Sequence, residues 1–189
     1  MLLNNFRRVL VNTISDSMNL NSIVGMTGEM KTTGGKLYNP SGKDYPQIIG
    51  WGYNCKICTS GTAYNSTTIE TKNINFSGCE IYLGTGNVTP TIGDYKLSGE
   101  LVTGLTSQEQ STTATNNSIT FSAIATNNTQ SPVTIKEIGL GGYTTGTAEC
   151  VFLLTRDVLP TPVTLNVGDS KTFSITIDFR SLTDTTVNE

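Results

Sequence analysis

Four cysteines carry the most reactive side chains of this chain, and two of them have a spacing that supports chemistry. Cys55-Lys-Ile-Cys58 is a CxxC pair, as found in zinc sites and in thiol–disulfide exchange sites. A structural zinc site needs four ligands, and Cys79 and Cys150 would have to form its second half although they lie far apart. A thioredoxin-like site needs a helix after the pair, which the sequence does not predict. Two disulfides of a secreted protein would fit the even count, but no secretory signal is recognisable, so we expect reduced thiols.

The chain contains no histidine, and its acidic residues are scattered singly. This removes the commonest general base and most metal-hydrolase chemistry. Glu137, Arg156 and Asp157 are the charged residues embedded in the C-terminal apolar segments. We expect Glu137 to pair with Arg156 or Lys136, either on the surface or between adjacent strands, while ion pairs between subunits are the functional alternative. Catalysis by Glu137 with Asp157 is not favoured, so the sequence predicts no enzyme, no catalytic residue, no metal site and no cofactor.

A glycine-rich turn, Gly84-Thr-Gly86, follows a predicted strand at residues 79–83. Two glycines at a strand end can cradle a phosphate group. However, this turn lacks the spacing and the lysine of a P-loop, and no predicted helix follows to add its dipole. We therefore predict a structured turn without a ligand.

Composition indicates a chain of short strands and polar turns. Of the 189 residues, 36% are apolar and only 14% are charged, while Thr, Ser and Asn are abundant. Threonine suits the solvent-facing side of a strand, and Asn and Ser suit turns. The net charge of −3, with no basic cluster beyond Arg7-Arg8, gives nucleic-acid binding no electrostatic support. No segment approaches the roughly 20 apolar residues of a membrane span, so we expect neither partner.

The last quarter of the chain holds four short apolar segments rich in β-branched residues. They are residues 133–140, 150–154, 163–167 and 173–179. In the last two, apolar and polar residues alternate, which predicts one buried and one solvent-facing side. We predict that these two strands form a hairpin across Gly168-Asp169. Residues 119–126 alternate in the same way, residues 97–106 are a predicted strand, and residues 107–117 are predicted to form a polar loop or a long hairpin tip.

The N-terminal segment, residues 1–15, is the only helix-like part of the chain. Four apolar side chains recur near helical spacing on one face: Leu2, Leu3, Phe6 and Leu10. One interpretation is a helix or strand packed on its own domain. We favour an arm that docks on a neighbouring subunit, because a sandwich closed by its own strands has little room for an apolar terminus.

These elements predict an all-β chain: an antiparallel β-sandwich or jelly roll with a short N-terminal helix or arm. We divide the chain into an attachment segment (1–15), an irregular region with short strands (16–66), a sandwich core (67–180) and a flexible tail (181–189). Trp51 lies in the irregular region, where it either plugs the edge of the core or lines a ligand or subunit contact.

Several phrases of the sequence occur together in a known group of proteins. They are LGTG at 83–86 followed by Pro90 and DYKL at 94–97, TIKEIGL at 134–140, and LLTRDVL at 153–159 before a final alternating strand. Their order and spacing resemble those of small bacteriophage virion structural proteins, and the start LLNNFRRVL is similar as well. The resemblance covers residues 79–179 and, more weakly, 1–12.

The resemblance implies a non-enzymatic component of a phage particle: a head-fibre base or decoration, a collar piece or a tail adaptor. Such a protein would be made in the cytoplasm of the bacterial host and reside in the virion. It would assemble with itself, as a trimer or ring, and dock on other virion proteins. The residues we assign to assembly contacts are Leu2, Leu3, Phe6, Arg7, Leu10, Glu137, Arg156 and Asp157.

The alternative is a receptor- or carbohydrate-binding module of a phage tail or fibre. Such a module should expose clustered aromatic side chains in loops. The candidates are four tyrosines of the irregular region: Tyr38, Tyr45, Tyr53 and Tyr64.

Overall fold

A computed structural model describes residues 1–6, 30–38, 54–67, 76–115, 117–144 and 151–178. Several predictions therefore fall outside the described residues. These are the predictions for Arg7, Leu10, Tyr45, Trp51, Tyr53 and Cys150, and for the tail at 181–189.

The described residues form ten strands and little helix, which confirms the all-β class with a short N-terminal helical turn at residues 4–6. The strands are β1 (Met30–Lys31), β2 (Leu37–Tyr38), β3 (Asn54–Ile57), β4 (Phe76–Gly84), β5 (Leu105–Ser111), β6 (Thr113–Ala114), β7 (Ser118–Asn127), β8 (Val133–Thr144), β9 (Val151–Leu165) and β10 (Ser170–Asp178). One further helical turn, Gly61–Tyr64, begins after Ser60, whose side chain caps it.

Eight strands form one mixed sheet in the order β10-β7-β5-β3-β4-β8-β9, with β6 also pairing with β7, while β1 and β2 pair separately. Only the contact between β3 and β4 is parallel among the described pairs. The sheet curls, so that Phe121 and Phe173 from one end share a single core with Ile81, Leu140 and Leu154 from the other. The finer prediction of a sandwich or jelly roll stays a prediction.

Strand β7 confirms the period-two pattern of its sequence. Phe121, Ala123 and Ala125 are buried, while Ser122 and Ile124, which lie between them, are half-buried on the other face. On that face, hydroxyl groups pair across β7 and β10: Thr120 with Thr176 and Ser122 with Ser174, both at 2.8 Å. The sheet therefore presents a row of mutually bonded hydroxyls to solvent.

The predicted hairpin across Gly168-Asp169 is wrong. The strand expected at 163–167 is the end of the long strand β9, which pairs with β8, whereas β10 pairs with β7 at the other end of the sheet. Alternation identifies the buried side of a strand but not its partner, because both strands carry the same pattern.

Asn127 holds the corner where the chain passes between the two ends of the sheet. Its buried side-chain amide donates to the Leu165 and Ser131 carbonyls, both at 2.9 Å, and its side-chain oxygen accepts from the Thr129 N–H at 3.0 Å. Its backbone carbonyl accepts from the N–H of Gly168, which has a φ of +85°. The turns after β7 and after β9 are thus joined through one side chain.

The strand predicted at residues 97–106 is wrong, since residues 97–104 are irregular apart from an isolated bridge between Leu101 and Gly84. Of the two alternatives for residues 107–117, the long hairpin describes the structure better than the polar loop, because β5 and β6 both pair antiparallel with β7. Strand β5 is exposed along most of its length and is held by pairing with β3 and β7. Its sequence lacks a buried side, so periodicity could not reveal it.

Most of β4, the middle of β8 and the first six residues of β9 are buried on both faces, which explains the nearly continuous apolar sequence of β8 and of the start of β9. Their second face carries a separate core built on Tyr82, Val151 and Leu153. Leu3, from the N-terminal segment, and Leu97, from the irregular stretch, cover this core.

Candidate functional site

Glu137 is the centre of the site that the sequence phrases build. It lies on β8 opposite Gly84 and is fully buried. Its carboxylate accepts hydrogen bonds from the backbone N–H groups of Gly86 at 3.0 Å, Ser98 at 3.0 Å and Gly99 at 2.7 Å. The Ser98 hydroxyl adds a fourth at 3.1 Å. Backbone groups of two loop segments therefore converge on one side chain.

Arg156, on the adjacent strand β9, completes the network and is only 1% exposed. Its Nε donates to Glu137 at 2.8 Å, one terminal nitrogen donates to the Asp94 carboxylate, and the other donates to the Val88 carbonyl at 2.6 Å. The predicted pairing of Glu137 with Arg156 is confirmed, with the pair buried between adjacent strands. One guanidinium group thereby fastens the 85–100 loop to the sheet.

The hydrogen bonds in this network favour ionised carboxylates. Burial alone would raise the pKa of Glu137, but the Ser98 and Gly99 N–H groups and Arg156 outweigh it, so the pKa lies below its ordinary value. Asp94 follows the same logic: burial opposes ionisation, while bonds from Thr91 and Arg156 lower the pKa. The site is therefore a charged network with both acids ionised at neutral pH.

Gly86 of the glycine-rich turn helps to bind an anionic group, but that group is the Glu137 carboxylate of the same chain. A Cβ atom at Gly86 would collide with Ser98 and with the backbone of Gly99, so the two loop segments need glycine to approach each other. This close approach lets three N–H groups reach the Glu137 carboxylate. The predicted structured turn thus has a specific role in the fold.

The N-terminal segment runs along the outer edge of β9. The Met1 amino group bonds to the Arg156 carbonyl at 3.0 Å and to the Asp157 carboxylate at 2.6 Å. Leu2 forms an antiparallel bridge with Thr155, and the next residue, Leu3, donates its N–H to the Leu154 carbonyl at 2.8 Å. The terminus therefore adds a short strand to an edge that would otherwise be open.

Four of the residues assigned to assembly are buried inside this chain and are at most 2% exposed: Leu3, Phe6, Glu137 and Arg156. For residues 1–6 the alternative we disfavoured, packing on the chain's own domain, describes the structure. The argument against it assumed a closed sandwich, whereas β9 is an edge strand with apolar residues on both faces. A docking role for the whole segment 1–15 stays a prediction.

The CxxC pair is split by the sheet. Cys55, within β3, packs in the main core, whereas Cys58, just after it, packs in the second core on the other face. Cys55 instead lies directly opposite Cys79 of β4. In the part of the chain that the structure describes, no group of three His, Cys, Asp or Glu side chains is placed to hold a metal ion.

A smaller polar cluster lies beside Cys58. The Glu80 carboxylate accepts from the Tyr82 hydroxyl at 2.9 Å and pairs with Lys56 at 3.2 Å. Burial, reinforced by the Glu80 charge, raises the pKa of the Cys58 thiol. A thiol of this kind is a weak nucleophile, so the cluster offers no activated side chain.

The structure brings five of the eight predicted contact residues into one neighbourhood around β9: Leu2, Leu3, Glu137, Arg156 and Asp157. Sequence reasoning missed Asp94, Ser98 and Gly99 as network members. The first lies in the DYKL phrase and the others directly follow it, so the phrase itself was the available signal.

Tyr64, the one proposed ligand-binding tyrosine whose side chain is described, is buried and accepts from the Leu97 N–H at 2.7 Å. Within the described residues, no helix has the length and apolar character needed to cross a membrane. Comparisons with protein-family models, curated proteins and solved structures find no match for this chain.

Proposed function

We propose that this chain is a non-enzymatic structural component of a bacteriophage particle: a head-fibre base or decoration, a collar piece or a tail adaptor. The observation that carries the proposal is the convergence of the phrases on one network. Gly86 and Asp94 come from the first phrase, Glu137 from the second and Arg156 from the third, and all four are joined by hydrogen bonds.

Burial favours an architectural role for this network. Glu137 and Arg156 are 0% and 1% exposed, and their polar groups are occupied by the loop that they hold. Groups so enclosed cannot reach a substrate without unfolding that loop. A sequence motif whose residues hold a loop in place serves to maintain the shape of the protein. This suits a particle component, which acts through its surface.

Self-association has a candidate surface in the outer edge of β10. No described strand pairs with that edge, whereas residues 1–3 pair with residues 154–156 on the outer edge of β9. The middle of β10, between Lys171 and Asp178, carries no charge, although charge is a usual protection of edge strands. We assign this edge to a second copy of the chain, paired antiparallel about Ile175.

The geometry of β10 suits that partner. With Ile175 on a twofold axis, Phe173 lies opposite Ile177 of the second copy and Ser174 lies opposite Thr176. Since Phe173 and Ile177 face the core while Ser174 and Thr176 are exposed, the apolar row and the hydroxyl row each continue into the second copy.

The receptor- or carbohydrate-binding module remains the alternative, and Tyr64 does not favour it. Its side chain is 4% exposed and stacks on Tyr82 with ring centroids 5.4 Å apart. The Tyr64 side chain belongs to the second core, with Tyr82 and Leu153, and is not accessible to a ligand.

Particle composition tests the proposal. Particles produced by the phage genome that encodes this chain would be purified by density gradient, digested and quantified by peptide mass spectrometry, with antibody labelling in the electron microscope. We expect a fixed copy number per particle at the head, collar or tail base. Absence from purified particles, with the chain present only in the soluble lysate, would overturn the proposal, and labelling confined to fibre tips would favour the binding module.

A further inference from the structure

Cys55 and Cys79 occupy directly opposed positions in the parallel pair of β3 and β4. Neighbouring strands lie about 4.8 Å apart, which falls inside the roughly 4.4–6.8 Å between Cα atoms that a disulfide requires. Both side chains pack in the same main core. The backbone thus holds the two Cα atoms at a separation that a disulfide can span.

We propose that Cys55 and Cys79 form a latent disulfide site, which closes when the folded chain meets a low-molecular-weight disulfide such as oxidised glutathione. This inference stands apart from the proposed function, since it rests only on strand register and burial.

The reaction proceeds by two exchange steps. The thiolate of one cysteine attacks a sulfur of glutathione disulfide, so that a mixed disulfide forms and one glutathione thiolate leaves. The thiolate of the second cysteine then attacks the protein sulfur of the mixed disulfide and releases the second glutathione. The protein loses two hydrogens and two electrons, and one glutathione disulfide becomes two glutathione molecules.

Burial makes the first step slow. Both thiols are at most 1% exposed, and the neighbouring Cys79 thiol, together with burial, raises the pKa of Cys55. Attack therefore needs a transient opening of β3. That strand has four residues, and only two of them pair with β5, so it is among the more weakly held strands of the sheet.

The disulfide would hold β3 to β4, where the two parts of the sheet meet. Strand β3 is the element that joins β5, and through it β7 and β10, to the β4-β8-β9 end. A covalent link between β3 and β4 limits the separation of the two ends and constrains the chain between the two cysteines when it unfolds. The chain should therefore unfold more easily in a reducing cytoplasm than in an oxidising medium.

The test uses the purified full-length chain, reduced and then equilibrated with oxidised glutathione. The chain is then denatured so that all free thiols react with iodoacetamide, and peptides are mapped by mass spectrometry. We expect the wild-type chain to lose about 2 Da with both sites unalkylated, and its Tm to rise by roughly 5–10 °C, reversibly with dithiothreitol.

The other cysteines supply matched controls. Cys58→Ala and Cys150→Ala should retain the bond and the Tm shift, whereas Cys55→Ala and Cys79→Ala should each abolish both. Peptide mapping of the wild-type chain gives the same answer if a variant fails to fold. A bond mapped to Cys58 or Cys150, a persistent glutathione adduct, or full alkylation of Cys55 and Cys79 after equilibration would each overturn the proposal.

Discussion

Glu137 and Arg156 show how a buried charge pair can be stable. Removing two charges from water costs several kcal/mol per ion, and the attraction between them compensates only when the remaining polar atoms are also satisfied. Here the carboxylate has five hydrogen bonds, and the guanidinium reaches Asp94 and Val88 as well. The pair therefore serves mainly to specify where the 85–100 loop lies.

The change Glu137→Gln should be strongly destabilising. It removes the charge that Arg156 faces and places an NH2 group, a donor, among three backbone donors. We expect a loss of about 3–5 kcal/mol in the free energy of unfolding, measured by urea denaturation. Asp157→Asn is the control, because its pair with the Met1 amino group is exposed, and it should cost less than about 1 kcal/mol. Equal effects of the two variants would contradict the network's role.

Stability should also depend on pH through the same residues. The folded-state pKa of Glu137 is lowered from 4.5, so its contribution is complete above that value and is lost as the pH falls through the folded-state pKa. Asp94 acts in the same direction from 3.8. In urea titrations between pH 7 and pH 3, the difference in unfolding free energy between wild type and Glu137→Gln should shrink towards acid. A difference that stays constant over this range would show that Glu137 is not the linked group.

At the scale of elements, the N-terminal segment and the edge strand β9 act as one unit. Six residues supply two backbone contacts with Arg156, a bridge to Thr155 and the apolar side chains of Leu3 and Phe6. Asn5 adds hydrogen bonds to the Lys31 and Leu153 carbonyls, which links the β1–β2 pair to the same edge. Truncation of the terminus would therefore remove part of the core as well as any docking surface.

Leu3→Ala separates the two roles. A fully buried leucine truncated to alanine typically costs about 2–5 kcal/mol, and we expect a loss in that range by urea denaturation. The control is Leu37→Ala, since Leu37 is 52% exposed and should change stability by less than about 0.5 kcal/mol. If Leu3→Ala keeps full stability but loses incorporation into particles, the docking-arm hypothesis is right and the packing seen here is secondary.

Asn127 links β7 to the end of β9 through its side-chain hydrogen bonds. Asn127→Ala removes two donors and one acceptor from a buried corner and leaves the Leu165 and Ser131 carbonyls without this partner. We expect a cost of about 2–4 kcal/mol, because each buried polar group left unsatisfied costs about 1–3 kcal/mol. The adjacent Asn128→Ala is the control: its amide bonds only to the exposed Thr106 hydroxyl, so thermal melting should barely change. A Tm for Asn127→Ala as high as that of the control would refute the corner's importance.

Sequence reasoning succeeded for elements whose own pattern determines their structure. Strand β7 has a buried face of Phe121, Ala123 and Ala125 that period-two alternation predicts directly. It failed for β5, whose residues are polar on both faces and are held only by their neighbours, and for the partner of β10. The Glu137–Arg156 pair was predictable because both charges interrupt apolar segments, whereas the Cys55–Cys79 contact depends on register.

At the scale of the whole molecule, the two edge strands of the sheet, β9 and β10, differ in what lies beside them. The N-terminal segment pairs with residues 154–156 of the β9 edge, close to the charged network, while the β10 edge bears exposed Ser and Thr side chains and pairs with no described strand. Pairing of single edges buries less area than the roughly 800 Å² per partner of a standard interface. We therefore expect self-association that depends on concentration and is strengthened when copies are held together in an assembly.

The double variant Ser174→Lys/Thr176→Lys tests this edge. In an antiparallel pair centred on Ile175, residues 174 and 176 face each other, so the two substitutions place like charges opposite each other and should weaken dimers at least tenfold. Both side chains are exposed, so loss of their hydroxyl bonds to Ser122 and Thr120 should lower the Tm of the monomer only slightly. Thr89→Lys/Gly93→Lys adds the same charge on an exposed loop and should leave association unchanged. Light scattering over a concentration series gives the mass of each variant. A monomeric wild-type chain at every concentration, or association of the edge variant equal to that of the loop control, would remove β10 from the assembly surface.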